Sequence, residues 1–420
     1  QRQMCIRDSI QDLVERVLMD NGYVQTAKAY ILYRSERSRA REMNTRLMKI
    51  YEDITFSSAK DSDIKRENAN IDGDTAMGTM LKYGSEGAKT FYEMFVLDPE
   101  HARAHDCGDI HIHDLDFFSL TTTCCQIDLL SLFHGGFSTG LGHIREPQSI
   151  ASYASLACIA IQSNQNDQHG GQSIPNFDYG MALGVAKTFR KAYTNKLMEG
   201  VEDYLDTEDE KEGIAEVLAE AKEKTGFTPK LEEGAKEFDA AVAQGLTERY
   251  NIPANKAARL VEVARHRATR KADRDTYQAM EGFVHNLNTM HSRAGAQTPF
   301  SSINYGTDTS PEGRMVIKNI LLATDAGLGH GETCIFPIHV FKVKEGVNYN
   351  EGDPNYDLFK LACRVSAKRL FPNFSFLDAP FNLQYYKEGH PETEIAYMGC
   401  RTRVIGNVVD PDREICNGRG

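Results

Sequence analysis

The stretch of residues 196–275 differs sharply in composition from the chain on either side of it. It is rich in Glu, Lys and Ala, and apolar residues such as Val217, Leu218 and Ala221 recur at helical spacing. The flanking segments, 65–195 and 276–420, mix helical patterns with short apolar runs, of which Ile335–Phe341 is the clearest predicted buried strand. Strands that alternate with helices are typical of α/β proteins. We therefore predict an α/β fold with an acidic helical insertion at about 196–275.

Length and charge narrow the class of protein. A chain of 420 residues allows about three domains, although large barrels run longer as single units. The net charge of −12 argues against a general nucleic-acid binder. The sequence contains no run of ~18 consecutive apolar residues, which is the length that a transmembrane helix requires. The nine cysteines include no C-x-x-C pair, which indicates reduced thiols rather than a zinc ribbon. We expect a cytoplasmic protein that binds neither nucleic acid nor a membrane.

The amino-terminal part predicts helices. Residues 1–9 carry no usable pattern, and we interpret them as a non-native segment. Residues 10–50 predict two helices that are interrupted at Asn21-Gly22, where glycine suits a helix end. The second helix carries a basic, polar stretch at 33–39, and such stretches usually face solvent.

Two histidines stand out in Gly108–Asp116. If this segment is a strand, alternation places His111 and His113 on one face. Two imidazoles beside carboxylates are compatible with a metal site, with contacts to a polar ligand, or with a polar network that closes a strand end.

Adjacent cysteines occur in Thr121–Leu129. The threonines favour a strand, in which Cys124 and Cys125 would point to opposite sides, so that only one faces a given cavity. Without further context, a buried cysteine is most often a small apolar filler.

Two glycine-containing segments complete the candidates. Gly170 and Gly171 lie in an amide-rich loop, 163–176, whose backbone N–H groups could approach a ligand or simply form a polar loop. Cys400 follows Gly399 and precedes two arginines, an arrangement that fits either a presented thiol or an ordinary surface turn.

Taken in order, these segments resemble the anaerobic (class III) ribonucleotide reductase family, from about residue 10 to the end. The matching stretches are Glu67–Asn70, Gly108–Asp116, Cys124 with Ile127–Leu129, Gly170-Gly171, Gln297–Phe300, Gly352–Asp357 and Met398–Arg401. The resemblance implies a ten-stranded α/β barrel of the glycyl-radical type, made of two five-stranded halves. Residues 56–420 would form part of this barrel, with a finger loop at about 395–410. Residues 10–55 would be the carboxyl-terminal part of an ATP-cone.

The resemblance also implies an activity, the oxygen-sensitive reduction of ribonucleoside triphosphates to deoxyribonucleoside triphosphates. Cys400 would be the thiyl radical that abstracts the ribose 3′-hydrogen, and Cys124, with Cys125 as the fallback, the second active-site cysteine. The residues expected near the substrate are His111, His113, Thr123, Gly170 and Gly171.

Cofactors and partners follow from the same resemblance. The radical glycine and a zinc site are expected beyond residue 420, with no metal within these residues, so that the chain alone would be inactive. ATP and dNTPs would be effectors, a radical-SAM enzyme the activase, and formate or a thioredoxin-like protein the reductant of a homodimer. Two alternatives stay open, namely another glycyl-radical enzyme related to formate lyases and a non-catalytic, nucleotide-responsive regulatory protein.

Overall fold

The computed structural model describes most of the chain in two compact units. The described residues are 2–56, 75–119, 124–139, 142–232, 235–292, 297–384, 386–390, 393–399 and 403–404. The first unit comprises Gln1–Thr121 and the second Thr122–Gly420. None of the helices in these ranges has the length and apolarity needed to cross a lipid bilayer.

The first unit is helical in its described part. Its α-helices are α1 (Arg2–Asp20), α2 (Val24–Phe56), α3 (Ala76–Phe91) and α4 (Pro99–Asp106), with a π-helical turn at Tyr92–Val96 and a 3-10 turn at Leu115–Phe117. The two predicted amino-terminal helices are confirmed, and the chain turns between them at Asn21-Gly22.

An ion-pair cluster joins α1 to α2. The Arg34 guanidinium donates hydrogen bonds to the carboxylates of Asp12, at 2.5 Å, and Glu15, at 2.8 Å. These two acceptors raise the pKa of Arg34 above its ordinary value. The basic stretch predicted to be solvated therefore contains one arginine whose charge is neutralised within the hairpin.

A five-stranded parallel sheet organises the second unit, which confirms the predicted α/β class. Its strands are β1 (Cys125–Gln126), β4 (Gln172–Ile174), β5 (Ser301–Tyr305), β6 (Ile338–Val343) and β7 (Asn373–Phe376), in the order β1-β4-β5-β6-β7. Two short antiparallel hairpins accompany it, β2 (Phe137–Thr139) with β3 (Gly142–Ile144), and β8 (Ala396–Tyr397) with β9 (Arg403–Val404).

The strand predicted at Ile335–Phe341 is displaced along the chain. Strand β6 begins at Ile338, after a cis peptide bond between Phe336 and Pro337. Ile335 is 63% exposed. Proline lacks the N–H that a central strand must donate, so the ladder starts only after it.

Nine α-helices accompany the sheet in the described part of the second unit. They are α5 (Leu129–Phe133), α6 (Ile150–Asp167), α7 (Phe177–Leu205), α8 (Lys211–Thr225), α9 (Ala235–Tyr250), α10 (Ala254–Thr289), α11 (Pro311–Ala326), α12 (Tyr356–Arg369) and α13 (Pro380–Leu383).

Register divides the sheet into two unlike faces, because side chains alternate along each strand. One face, here called the helix-covered face, packs into the core formed with α6, α7, α10 and α11. It carries Ile174, Ile303, Tyr305, His339, Phe341 and Val343. The other, here called the polar face, carries Gln126, Ser173, Ser302, Asn304, Lys342 and Ser375, all of them buried.

A second apolar cluster lies away from the sheet. It joins the carboxyl-terminal half of α7 to α8, α9 and the amino-terminal half of α10, with Phe238, Val242 and Leu246 fully buried. This cluster occupies much of the stretch predicted as a helical insertion. The predicted domain boundaries at 9/10, 55/56 and about 196–275 stay predictions.

Candidate active site

Cys124 lies immediately before β1 in a constrained backbone conformation. Its φ of 64° is left-handed, which is uncommon for a residue with a side chain. The Cys124 N–H donates to the carbonyl oxygen of His169 at 3.0 Å, and the Gly171 N–H donates to the Cys124 Sγ at 3.3 Å. The loop that ends at Gly171 therefore holds both the backbone and the sulfur of Cys124.

Cys125 takes a different direction. It pairs with Gln172 in the β1–β4 ladder and therefore shares the side of Gln172 and Ile174, on the helix-covered face. The two cysteines thus differ in surroundings, although the strand predicted to contain both begins only at Cys125.

A phenylalanine ring brings distant parts of the sequence together. Gly171 lies against Phe300 so closely that a methyl group in place of its hydrogen would come within 3.1 Å of the ring. Gly399 lies against the same ring, where a methyl group would come within 2.8 Å. At Gly399 a side chain would fit only if the ring moved, and at Gly171 the space for one is tight. The loop that contacts the Cys124 sulfur and the residue that precedes Cys400 therefore share one aromatic surface at the amino-terminal end of β5.

The segment 394–399 lies on the polar face. The side chain of Asn304 is fully buried and pairs with both backbone groups of Tyr397, accepting from its N–H at 2.8 Å and donating to its carbonyl oxygen at 2.9 Å. The Ser173 hydroxyl donates to the same carbonyl oxygen at 3.1 Å. Tyr397 is therefore bound to the sheet through side chains rather than through a strand ladder.

A buried ion pair holds the beginning of this segment. The Lys342 ammonium, 0% exposed, lies 2.8 Å from a carboxylate oxygen of Glu394, which is 5% exposed. The ammonium also donates to the Asn176 side chain at 3.0 Å, and the same Glu394 oxygen accepts from the Thr307 hydroxyl at 2.7 Å. Both charges are paired and hydrogen-bonded, the condition under which burial is tolerated.

Other polar atoms of this face have no hydrogen-bond partner within the described part of the chain. They are both amide atoms of Gln126, the hydroxyls of Ser302 and Ser375, and the amide nitrogen of Asn373. Buried polar groups in folded proteins are nearly always hydrogen-bonded. The polar face is therefore chemically suited to receive a polar ligand or a further segment of chain.

Carboxylates cluster just beyond the carboxyl end of β5. One oxygen of Asp178 accepts three backbone N–H groups, from Gly306, Thr307 and Asp308, at 2.8, 3.1 and 3.1 Å. Burial, and then the charge of Asp178, raise the pKa of Asp308 to about 7. This group therefore titrates close to neutral pH.

The prediction that His111 and His113 lie on a strand is wrong. They belong to an exposed loop of the first unit, between α4 and the 3-10 turn, that ends at Asp114 in a left-handed conformation. The two imidazoles nevertheless face each other, with 3.5 Å between the His113 Nδ1 and the His111 Nε2. The His105 ring lies 5.6 Å from that of His111.

Two predicted site residues, Cys400 and Thr123, lie outside the described residues, as does the stretch Glu67–Asn70. Cys124, Gly170 and Gly171 belong to the second unit and are brought together there, whereas His111 and His113 belong to the first. Within the described ranges, no group of three or more His, Cys, Asp or Glu side chains is arranged to hold a metal ion.

Sequence reasoning missed Asn304, Lys342 and Glu394. Each is a single polar residue without a local motif, and the Asn304 contact spans 93 positions of the chain. A lysine within the apolar run of β6 was the one available signal, since a buried lysine requires a partner.

Comparison with models of protein families shows the family to which this chain belongs. A family model described as anaerobic ribonucleoside-triphosphate reductase matches residues 67–420, and one for the ATP cone domain matches residues 7–39. The chain belongs to the anaerobic ribonucleoside-triphosphate reductase family.

Curated relatives of this reductase family align over most of the chain. The anaerobic ribonucleoside-triphosphate reductase of Escherichia coli is 28% identical over 369 residues, which cover 87% of this chain and 43% of that protein. The enzyme of the same name from enterobacteria phage T4 is 29% identical over 367 residues, covering 85% of this chain and 48% of its own length. The chain thus spans less than half the length of these relatives.

Solved structures give a weaker similarity. The anaerobic ribonucleotide reductase of Thermotoga maritima, solved in complex with dATP and CTP, has a TM-score of 0.46 and 11% identity, covering 84% of this chain and 51% of that one. The structure of the same enzyme with glycerol in the active site has a TM-score of 0.47 and 10% identity, with the same coverage.

Proposed function

We propose that the protein of which this chain forms part reduces ribonucleoside triphosphates to deoxyribonucleoside triphosphates by radical chemistry. Its membership of the reductase family supports this reaction. The observation that carries the proposal to particular residues is the shared contact of Gly171 and Gly399 with Phe300. Through it, the loop that holds the Cys124 sulfur and the residue next to Cys400 converge at one end of the sheet.

The proposed roles follow from this convergence. Cys400 is the thiyl radical that abstracts the ribose 3′-hydrogen and later returns a hydrogen atom, and a glycyl radical supplies the oxidation that generates it. Cys124 is the second thiol, because Cys125 lies on the helix-covered face. Gly170 and Gly171 bring backbone close to the substrate, and we assign Thr123, His111 and His113 to substrate contacts.

The fold proposal is more specific than the observed sheet. We infer that the five parallel strands form one half of a ten-stranded barrel whose interior is lined by the polar face. Two observations support this arrangement. The segment 394–399 already lies on that face, and several buried polar atoms of the face have no partner within the described residues. Residues 395–410 are then the finger loop.

Regulation and partners belong to the same proposal. The ATP-cone match at residues 7–39 supports ATP and dNTPs as effectors. Within α1 and α2, Arg34 is already engaged by Asp12 and Glu15. We propose a radical-SAM activase, a homodimer, and formate or a thioredoxin-like protein as reductant.

The experiment uses the full-length gene product, prepared without oxygen and treated with a radical-SAM activase. CTP, ATP and the corresponding diphosphates are supplied as substrates, each with formate or a thioredoxin system, and deoxynucleotides are measured. A parallel reaction with pyruvate and coenzyme A tests the formate-lyase alternative. We expect deoxynucleoside triphosphates and no acyl transfer. A protein that forms a glycyl radical but converts no ribonucleotide would contradict the proposal.

A further inference from the structure

Asn304 occupies an unusual position in the sheet. It lies on the polar face of β5, fully buried, and its side-chain amide pairs with the backbone of Tyr397. Its oxygen accepts from the Tyr397 N–H at 2.8 Å, while its nitrogen donates to the Tyr397 carbonyl oxygen at 2.9 Å. The amide thus makes both hydrogen bonds that a neighbouring strand would make.

This pairing fixes one residue of the segment in direction and in register. A single hydrogen bond leaves the segment free to rotate about it, whereas two antiparallel bonds to one residue define its plane. The amide nitrogen also lies 3.2 Å from the Ser173 hydroxyl, which itself donates to the Tyr397 carbonyl oxygen. A shift of the segment by one residue would break all of these contacts together.

A second anchor lies upstream on the same segment. Glu394 is held by the Lys342 ammonium at 2.8 Å and by the Thr307 hydroxyl at 2.7 Å. Downstream, Gly399 is seated against Phe300 and Ile338. Residues 394–399 are therefore fixed at their beginning, middle and end, immediately before Cys400.

We propose that Asn304 is a positioning residue for the radical cysteine, assisted by the Lys342–Glu394 pair. This inference rests on the proposed function. Hydrogen transfer from ribose to sulfur depends steeply on the distance between them, and a displacement of about 1 Å costs roughly 100-fold in rate. The clamp at Tyr397 holds the backbone that carries Cys400, so its loss lengthens that distance without removing any group that touches the substrate.

The test compares Asn304→Ala with Asn319→Ala in the activated full-length protein. Asn319 is a matched control, because it is also buried and donates to two oxygens, those of Asp273 at 2.8 Å and Met315 at 2.9 Å, but lies on α11 beneath the helix-covered face. In Asn304→Ala we expect kcat to fall at least about tenfold, with the KM for nucleotide within about twofold and the glycyl radical content unchanged. Asn319→Ala should keep its kcat.

Two further measurements separate positioning from a general loss of structure. With 3′-deuterated substrate, Asn304→Ala should show a larger kinetic isotope effect than wild type, because hydrogen transfer becomes more rate-limiting. Hydrogen exchange at the Tyr397 amide should accelerate in Asn304→Ala and stay unchanged in Asn319→Ala. Where Asn304→Ala is too unstable to isolate, Asn304→Asp takes its place, since it keeps the acceptor and removes the donor.

The outcomes are distinct. An Asn304 variant whose kcat equals that of the Asn319 control, or whose loss lies in KM or radical content, would overturn the inference. Failure of the proposed function shows itself separately, as a wild-type protein that makes no deoxynucleotide. In that case, faster exchange at Tyr397 in the variant would show that the Asn304 contact is structural only, and the inference that it positions the radical cysteine would be overturned.

Discussion

The helix-covered face and the polar face of the sheet are both buried, but the buried polar atoms without a hydrogen-bond partner in the described residues are concentrated on the polar face. On the helix-covered face, the one ionisable imidazole, His339, is bonded to the Tyr305 hydroxyl at 3.1 Å and lies 3.3 Å from that of Thr324. Burial lowers its pKa to about 3, so it is neutral at physiological pH. On the polar face, Gln126 and Ser302 keep polar atoms without a partner in the described residues.

This difference between the faces suggests that the helix-covered face mainly stabilises the fold and that the polar face mainly serves the reaction. Among the described residues, the strands leave one buried polar atom without a partner on the helix-covered face, the hydroxyl of Ser301, and the other polar side chains of that face are hydrogen-bonded within this unit. A face that carries a paired charge, a side-chain clamp and several polar atoms still to be satisfied is built to hold something else. Substitutions on the two faces should therefore differ in their effects on activity and on stability, as four predictions specify.

The largest effect is expected at Cys400. In the activated full-length protein, Cys400→Ser should abolish nucleotide reduction while the fold and the glycyl radical remain, because a hydroxyl is a far poorer hydrogen-abstracting radical precursor than a thiol. Deoxynucleotide formation and the radical's electron paramagnetic resonance signal measure the two properties. Cys158→Ala is the control, since this buried thiol lies under the helix-covered face, where burial raises its pKa to about 12. Deoxynucleotide production by Cys400→Ser would refute the role.

The cysteine pair tests the two faces directly. Cys124→Ala should lower kcat by at least about 10²-fold, the lower end of what a side chain that takes part in the chemical step usually contributes. Cys125→Ala should change it by no more than a few-fold, because Cys125 shares the helix-covered face with Gln172. Steady-state kinetics of the two variants decide the matter. The opposite order would make Cys125 the second thiol and reverse the assignment of the faces at β1.

The free energy of unfolding should depend more on the helix-covered face than on the polar face. Phe341 is fully buried on the helix-covered face, and Phe341→Ala should cost about 3–5 kcal/mol of unfolding free energy through the cavity it leaves. Ser302→Ala, on the polar face, should change it by less than about 1 kcal/mol, since the hydroxyl has no partner in the described residues to lose. Urea unfolding followed by circular dichroism measures both. A strongly destabilised Ser302→Ala would mean that this hydroxyl is already satisfied.

The smallest effect concerns pH. The pKa of Asp308 is raised to about 7, so the folded protein binds its proton more tightly than the unfolded chain does. This group therefore favours folding most when protonated, and its contribution declines as the pH rises from about 4 to about 7. Between pH 5 and pH 8, wild type should lose about 1–3 kcal/mol relative to Asp308→Asn in urea unfolding. Parallel pH profiles for the two proteins would show that Asp308 ionises normally.

The sequence allowed some of these features to be predicted and not others, for physical reasons. Helical periodicity located α1 and α2, because local spacing decides whether a helix is amphipathic. The apolar run at Ile335 located β6 only approximately, since Pro337 delays the ladder. The histidine pair was assigned to a strand because two-residue spacing is shared by strands and by tight loops. The clamp at Asn304 could not be predicted at all, because it joins an asparagine to a backbone 93 positions away.

The longest helix gives the second unit a mechanical property. Helix α10 has 36 residues and a length of about 54 Å, and it contributes Ala257 and Ala268 to the helical cluster and Phe283 and Leu287 to the core beneath the sheet. One end of α10 is packed into each of the two apolar clusters, and α7 packs beside it. Because α10 is continuous, a displacement of the helical cluster would be carried along the helix to the core that packs beneath the sheet.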